Sequence, residues 1–252
     1  MSAMPKRNAV IDTPDGRMAA ILARPGGKGP FGAVIMYPHV GGLTDTMRLM
    51  ARRCAQGGYL CVAPDLYHRL GTIILDPQSQ DENVLAIRRV AAESLTPSSV
   101  MTDTRAVLVW LDREPLASRG PKGAIGYGAG GGFAVLAAAT YPQEIAAAAS
   151  VLGFGFTTDK PGSPHLSFPK LRGELYCAFA EHDDIIPPTV PDALAAALRP
   201  LPIRTELVRH KGTRHPYAFP DRTVYDKDAA EADWAKIFAM FARQMPAESR
   251  AK

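Results

Sequence analysis

Short apolar runs alternate along the chain with longer stretches in which apolar residues recur every three or four positions, and polar or glycine-rich turns separate them. That rhythm is the signature of β-α units building a mostly parallel sheet. The predicted strands are Ala33 to Tyr37 (AVIMY), Tyr59 to Ala63 (YLCVA), Gly123 to Tyr127, Ala146 to Leu152, Glu174 to Ala180 (ELYCAFA) and Ile203 to Val208. Most are apolar or nearly so throughout, as strands covered on both faces must be, whereas Ile203 to Val208 alternates. A helix follows the HVGG turn, with Thr44 or Asp45 as its cap and Met47, Leu49, Met50 and Cys54 along it. Further helices are predicted near Thr102 to Leu111, over GFAVLAAAT, over Asp192 to Leu198, and from about Asp226 to Gln244 with Trp234, Phe238 and Phe241 on one face.

The turn PDLYHR and the polar segment through ILDPQSQDENV read as connection, and Pro25 to Pro30 and Thr158 to Pro169 read as surface loops. No internal repeat or linker divides the 252 residues, so one domain over 1–252 is expected.

Composition narrows the partners. Hydrophobic residues are 46% and charged residues 21% of the chain, an ordinary globular balance that excludes a disordered or fibrous chain. The net charge of +4 is scattered; the densest basic group, Arg48, Arg52 and Arg53, shares one predicted helix and reads as a solvated face, not a nucleic-acid surface. The three cysteines, Cys54, Cys61 and Cys177, have no CxxC spacing and suggest neither a disulfide framework nor zinc. They read as core residues of a reduced, cytoplasmic protein, and no stretch has the length of a membrane span. No cofactor is implied.

The candidate chemistry begins at Gly126-Tyr127-Gly128-Ala129-Gly130-Gly131, between a predicted strand and a predicted helix. It matches GxGxxG, and it matches a nucleophile elbow centred on Gly128. A dinucleotide site needs a carboxylate about 20 residues on, at the end of the next strand. Residues 145–157 contain none. An elbow needs an acid and then a histidine, each after a later strand. Asp183 follows ELYCAFA in EHDDIIPP, with Asp184 as its neighbouring rival, and His215 stands in RHKGTRHPYAF.

The stretches APDLYHR, LDPQ, GAIGYGAGG, AEHDDIIPP, GTRHPYAFPDR and YDKDAAEADW together resemble the dienelactone hydrolases over most of the chain. The resemblance implies an α/β-hydrolase fold with a mostly parallel central sheet and helices on both faces. It implies that Asp183, three residues before the Ile186-Pro187 step, orients His215 as the base. Family members carry a cysteine nucleophile in GxCxGG, and Gly128 replaces it here. The family's glutamate after the strand matching AVIMY is also missing, since Tyr37-Pro38-His39 occupies that turn. Of two arginines that hold the substrate carboxylate, Arg69 matches the first and is expected to face the pocket, while Phe219 stands at the second.

Backbone N–H groups of Ala129 and of His39, or Val40 beside it, are the candidate oxyanion hole, and Pro38 has none to offer. His182 beside Asp183 has no HExxH-like companions, so no metal site is expected. Two functions remain open: hydrolysis of a small carboxylic ester or lactone, with His215 activating water, and non-catalytic binding of a small carboxylate or carbonyl ligand. Neither nucleic acid nor membrane is expected as a partner.

Overall fold

The computed structural model describes residues 7–76, 78–159 and 162–245. Eight strands form one sheet in the order β1-β2-β4-β3-β5-β6-β7-β8. The first three are β1 (Arg7–Thr13), β2 (Gly16–Ala23) and β3 (Ala33–Tyr37), followed by β4 (Leu60–Pro64) and β5 (Lys122–Tyr127). The last three are β6 (Ile145–Val151), β7 (Glu174–His182) and β8 (Thr205–Arg214). The β1-β2 and β2-β4 pairs are antiparallel, and every pair from β4 through β8 is parallel. This is the α/β-hydrolase arrangement that the sequence implies.

Strands β3, β4 and β5 are buried at every position, because helices cover both faces. The helices are α1 (Asp45–Gln56), α2 (Glu82–Ser94), α3 (Pro97–Leu111), α4 (Ala129–Thr140), α5 (Thr189–Leu198) and α6 (Lys227–Gln244). Thr44 caps α1 by accepting from the Met47 N–H, and Asp226 caps α6 by accepting from the Ala229 N–H. A single apolar core runs from Ala9 in β1 to Met245 after α6.

Several elements depart from the sequence reading. The β1-β2 hairpin was not predicted, although its Pro14-Asp15-Gly16 turn is a recognisable signal, and its inner face is Ala9, Ile11 and Met18. Helix α2 starts at the end of the polar segment read as connection and runs on through residues 85–94, which were given no element. Its Asp81 cap accepts from the N–H groups of Asn83 and Val84, but Ala91 is its sole buried residue, so it carries little apolar periodicity. Strand β8 extends to Arg214 because its ladder with β7 continues as far as His182 and Arg214, across a polar sequence. The loop over Thr158 to Pro169 holds a 3-10 turn, Pro164–Lys170, anchored by buried Phe168. Arg53 is not simply solvated: it pairs with Glu231 at 2.6 Å and lies over the rings of Trp234 and Phe238.

Parallel strands place their following turns along one edge of the sheet. The turns after β3, β5, β7 and β8 carry His39, Gly128, Asp183 and His215 respectively.

Candidate active site

The β5-α4 turn is built by close backbone contact. A Cβ added to Gly126 would stand 2.0 Å from the Gly130 carbonyl oxygen, and one on Gly130 would stand 2.3 Å from that of Tyr37. Glycine at both lets α4 begin directly against the ends of β5 and β3. Gly128 is different. Its φ of 55° and ψ of −124° put it in a conformation that side-chain-bearing residues adopt only under strain. Yet a Cβ there would meet nothing nearer than His39 Cβ at 3.7 Å and Phe154 Cε1 at 3.9 Å, which is ordinary contact. At position 128 the conformation favours glycine, and the space does not require it.

His215 and Asp183 come together as their order along the chain implies. His215 Nδ1 lies 2.9 Å from Asp183 Oδ2, while Asp183 Oδ1 accepts from the N–H groups of Ile185 and Ile186 at 2.9 and 2.8 Å. Burial pushes the Asp183 pKa up, but the His215 hydrogen bond, the two backbone N–H groups and the His215 charge outweigh it and hold the carboxyl below its ordinary value. An ionised Asp183 accepts from Nδ1–H, which leaves the Nε2 lone pair free to take a proton. Asp184 is exposed, and it is Asp183 that faces the imidazole.

His215 shares a cavity of about 480 Å³ with His39, Val40, Gly128, Ala129 and Phe154. Ala129 opens α4, so its N–H has no helical carbonyl behind it. His39 is 6% exposed, and burial together with the charge of Arg222 lowers its pKa to about 4. The ring is therefore neutral at pH 7: Nδ1 accepts from the Gly41 N–H at 2.9 Å, and Nε2–H points to Thr44 Oγ1 at 3.2 Å. These bonds fix the turn that carries the second candidate oxyanion N–H.

Arg69 does not line this cavity, contrary to the expectation. Its guanidinium is held in two hydrogen bonds, at 2.8 and 2.7 Å, by the fully buried Asp103 of α3, and it also reaches Asp15 in the β1-β2 turn. A buried carboxylate needs such a partner, so Arg69 is committed to the fold. The cavity's basic residues are instead Arg88 of α2 and Arg222, which the sequence reading did not single out. The Arg222 side chain is 6% exposed, with Asp76 and Asp221 at 3.8 and 3.6 Å, both beyond hydrogen-bond distance. Arg222 lies within the stretch GTRHPYAFPDR, seven residues after His215, which is the signal that was available.

A second group missed at the sequence level lies behind the histidine turn. Asp233 of α6 accepts from Tyr176 of β7 at 2.7 Å and from Tyr217 at 2.7 Å, and it pairs with His210 of β8 at 2.6 Å. Burial and the Asp233 charge push both tyrosines well above their ordinary pKa, so they remain donors. One carboxylate thus ties together the strand ahead of Asp183 and the turn that holds His215.

Among the described residues, none of the three cysteines, nor Ser150, offers a nucleophile beside His215. Cys54, Cys61 and Cys177 are free and buried, and burial pushes the Cys177 thiol up to about 12. Ser150 is fully buried in β6 behind Gly131 and Gly153. Among the described residues no three His, Cys, Asp or Glu side chains converge as a metal ion would need. Nor is any helix there long and apolar enough to cross a membrane.

A model of the dienelactone hydrolase family matches residues 18–245, which span Gly128, Asp183 and His215. The chain belongs to the dienelactone hydrolase family. A protein of Synechocystis sp. named "Putative carboxymethylenebutenolidase" is 25% identical over 232 residues, covering 91% of this chain and 93% of that one. A Bradyrhizobium protein named "Probable 2-oxo-3-(5-oxofuran-2-ylidene)propanoate lactonase" is 24% identical over 218 residues, covering 85% of each. Among solved structures, a "Putative Dienelactone Hydrolase" from Klebsiella pneumoniae superposes with a TM-score of 0.83 at 27% identity, covering 96% of this chain and all of that one. The dienelactone hydrolase fold thus holds the His215–Asp183 pair at a cavity that Gly128 also lines.

Proposed function

We propose that this dienelactone hydrolase family member hydrolyses a small carboxylic ester or lactone, with His215 as general base and Asp183 as its orienting partner. The observation that carries the reading is the 2.9 Å pair of His215 and Asp183 in one cavity with Gly128 and Ala129. Water beside Gly128 gives up a proton to His215 Nε2 and attacks the carbonyl carbon. The N–H groups of Ala129 and His39 receive the oxyanion, and His215 returns the proton to the leaving alkoxide. Direct attack by water is slower than attack by a side-chain nucleophile, because a triad lacking one member retains only the contributions of its binding site and oxyanion hole.

The substrate in this reading carries a carboxylate. Arg222 and Arg88 line the cavity, and the Arg222 guanidinium forms only loose ion pairs, with Asp221 at 3.6 Å and Asp76 at 3.8 Å. The Bradyrhizobium relative's name describes a lactone bearing a propanoate, which fits the same chemistry. The three free, buried cysteines fit a reduced cytoplasmic setting.

Gly128 itself favours a second reading, a non-catalytic binder of small carboxylates or carbonyl compounds. Turnover of p-nitrophenyl acetate by the chain, measured beside His215→Ala, separates the two. Hydrolysis above buffer that the substitution removes supports the enzyme. Buffer-level rates in both support the binder.

A further inference from the structure

We propose that the space beside Gly128 is a site for a small aliphatic thiol, which accepts the acyl group of a bound ester, so that the chain acts as an ester-to-thiol acyltransferase. The inference rests on the reading of His215 as the base and goes beyond hydrolysis.

Three features of the site point to an external nucleophile. First, the position facing the cavity at the head of α4 has room for atoms that glycine does not supply, with its nearest neighbours at 3.7 and 3.9 Å. Second, the base is already assembled: Asp183 fixes His215 Nδ1, and among the described residues Nε2 makes no hydrogen bond. Third, the chain's own thiols are out of reach, since Cys54, Cys61 and Cys177 are all buried in the core. Any thiol that meets His215 therefore comes from solution, and a cavity of about 480 Å³ lies within the range that holds a small ligand.

The chemistry of the site selects a thiol over an alcohol. A thiol is far more acidic than an aliphatic hydroxyl, so a positioned base removes its proton much more readily. The start of the twelve-residue helix α4 adds the positive end of its dipole, which favours a thiolate at this spot. In the step itself, His215 Nε2 takes the S–H proton and sulfur attacks the ester carbonyl carbon. The tetrahedral oxyanion collapses, the C–O bond to the alkoxide breaks, and His215 delivers the same proton to that alkoxide. One thioester and one alcohol form from one ester and one thiol, with no oxidant or reductant.

The test gives p-nitrophenyl acetate and ethanethiol to the full chain and follows p-nitrophenolate release and S-ethyl thioacetate by mass spectrometry. The expected result is a rate that saturates with ethanethiol, roughly a hundredfold above buffer at the same thiol concentration, as a positioned general base supplies. His215→Ala should return the rate to buffer level. Gly128→Ala places a methyl group in the space while meeting only ordinary contacts, so it should abolish saturation in a protein that a thermal melt shows to be folded. A rate linear in thiol and equal to buffer, or a saturating rate that survives Gly128→Ala, overturns the proposal. Hydrolysis of p-nitrophenyl acetate by the parent without thiol separates the two inferences: if it exceeds buffer and is lost in His215→Ala while ethanethiol adds nothing, the thiol site is wrong and the hydrolase reading stands. If the parent is at buffer level with and without ethanethiol, both fall.

Discussion

Tyr217, two residues beyond His215, donates its hydroxyl to Asp233 Oδ2 at 2.7 Å, so the turn that presents the imidazole is anchored to α6 from inside the protein. Because Tyr217 is fully buried, that bond has no water to replace it. Tyr217→Phe should lower stability by about 1.5–3 kcal/mol, the range for a hydrogen bond to a charged group. It should also loosen the His215 turn. A thermal melt checks the first effect. The second appears as a lower His215-dependent rate at unchanged KM, and an unaltered rate would show that the anchor does not position the base.

Acid should weaken the fold through His39. Its pKa is about 4 in the folded chain against about 6.5 unfolded. The unfolded chain therefore binds more protons between those values, and stability falls as pH drops through that window, by on the order of 3 kcal/mol. His210 runs the other way. Its pKa is raised by the Asp233 hydrogen bond, so its contribution is complete below about pH 6.5 and fades as pH rises through the raised folded value. Melting curves from pH 7 to pH 4.5 for the parent and for His39→Gln should diverge, with the variant losing less. Parallel curves would mean that His39 is not held neutral.

The two arginines should separate cleanly. Arg222→Gln should weaken use of carboxylate-bearing esters by roughly tenfold to a hundredfold, the worth of one charged hydrogen bond, and leave neutral esters little changed. Arg69→Gln should leave that preference intact and lower the melting temperature, because Asp103 loses both hydrogen bonds from the guanidinium. Steady-state kinetics with paired neutral and anionic esters decides between them.

Apolar runs were enough to locate β3 through β7, since strands covered on both faces carry few polar positions to blur them. The order of Gly128, Asp183 and His215 was legible for a related reason: each follows a strand, and parallel strands gather their turns on one edge. Helix α2 was hidden because its exposed residues include Ile87 and Val90, which leave no apolar stripe on a buried face. Arg69 was assigned to the pocket from its position in the PDLY turn. Which way a long side chain points depends on its partner, and Asp103 stands 34 residues away in the chain. The same limit concealed Asp233, whose three partners lie on β7, β8 and the histidine turn.

Gly128→Cys tests the central claim most directly. Cysteine at a φ of 55° should cost about 1–3 kcal/mol of strain, less the ~0.4–1 kcal/mol returned by a stiffer unfolded chain. Its Cβ meets only ordinary contacts, so the variant should fold. The thiol then stands at the start of α4 in the same cavity as His215, where both favour thiolate. The deciding measurement is p-nitrophenyl acetate turnover by folded Gly128→Cys, read beside alkylation by iodoacetamide. The account predicts a lower melting temperature, turnover above the parent and rapid alkylation. A folded variant with no added turnover and an unreactive thiol would contradict it, because residue 128 would then not be the elbow.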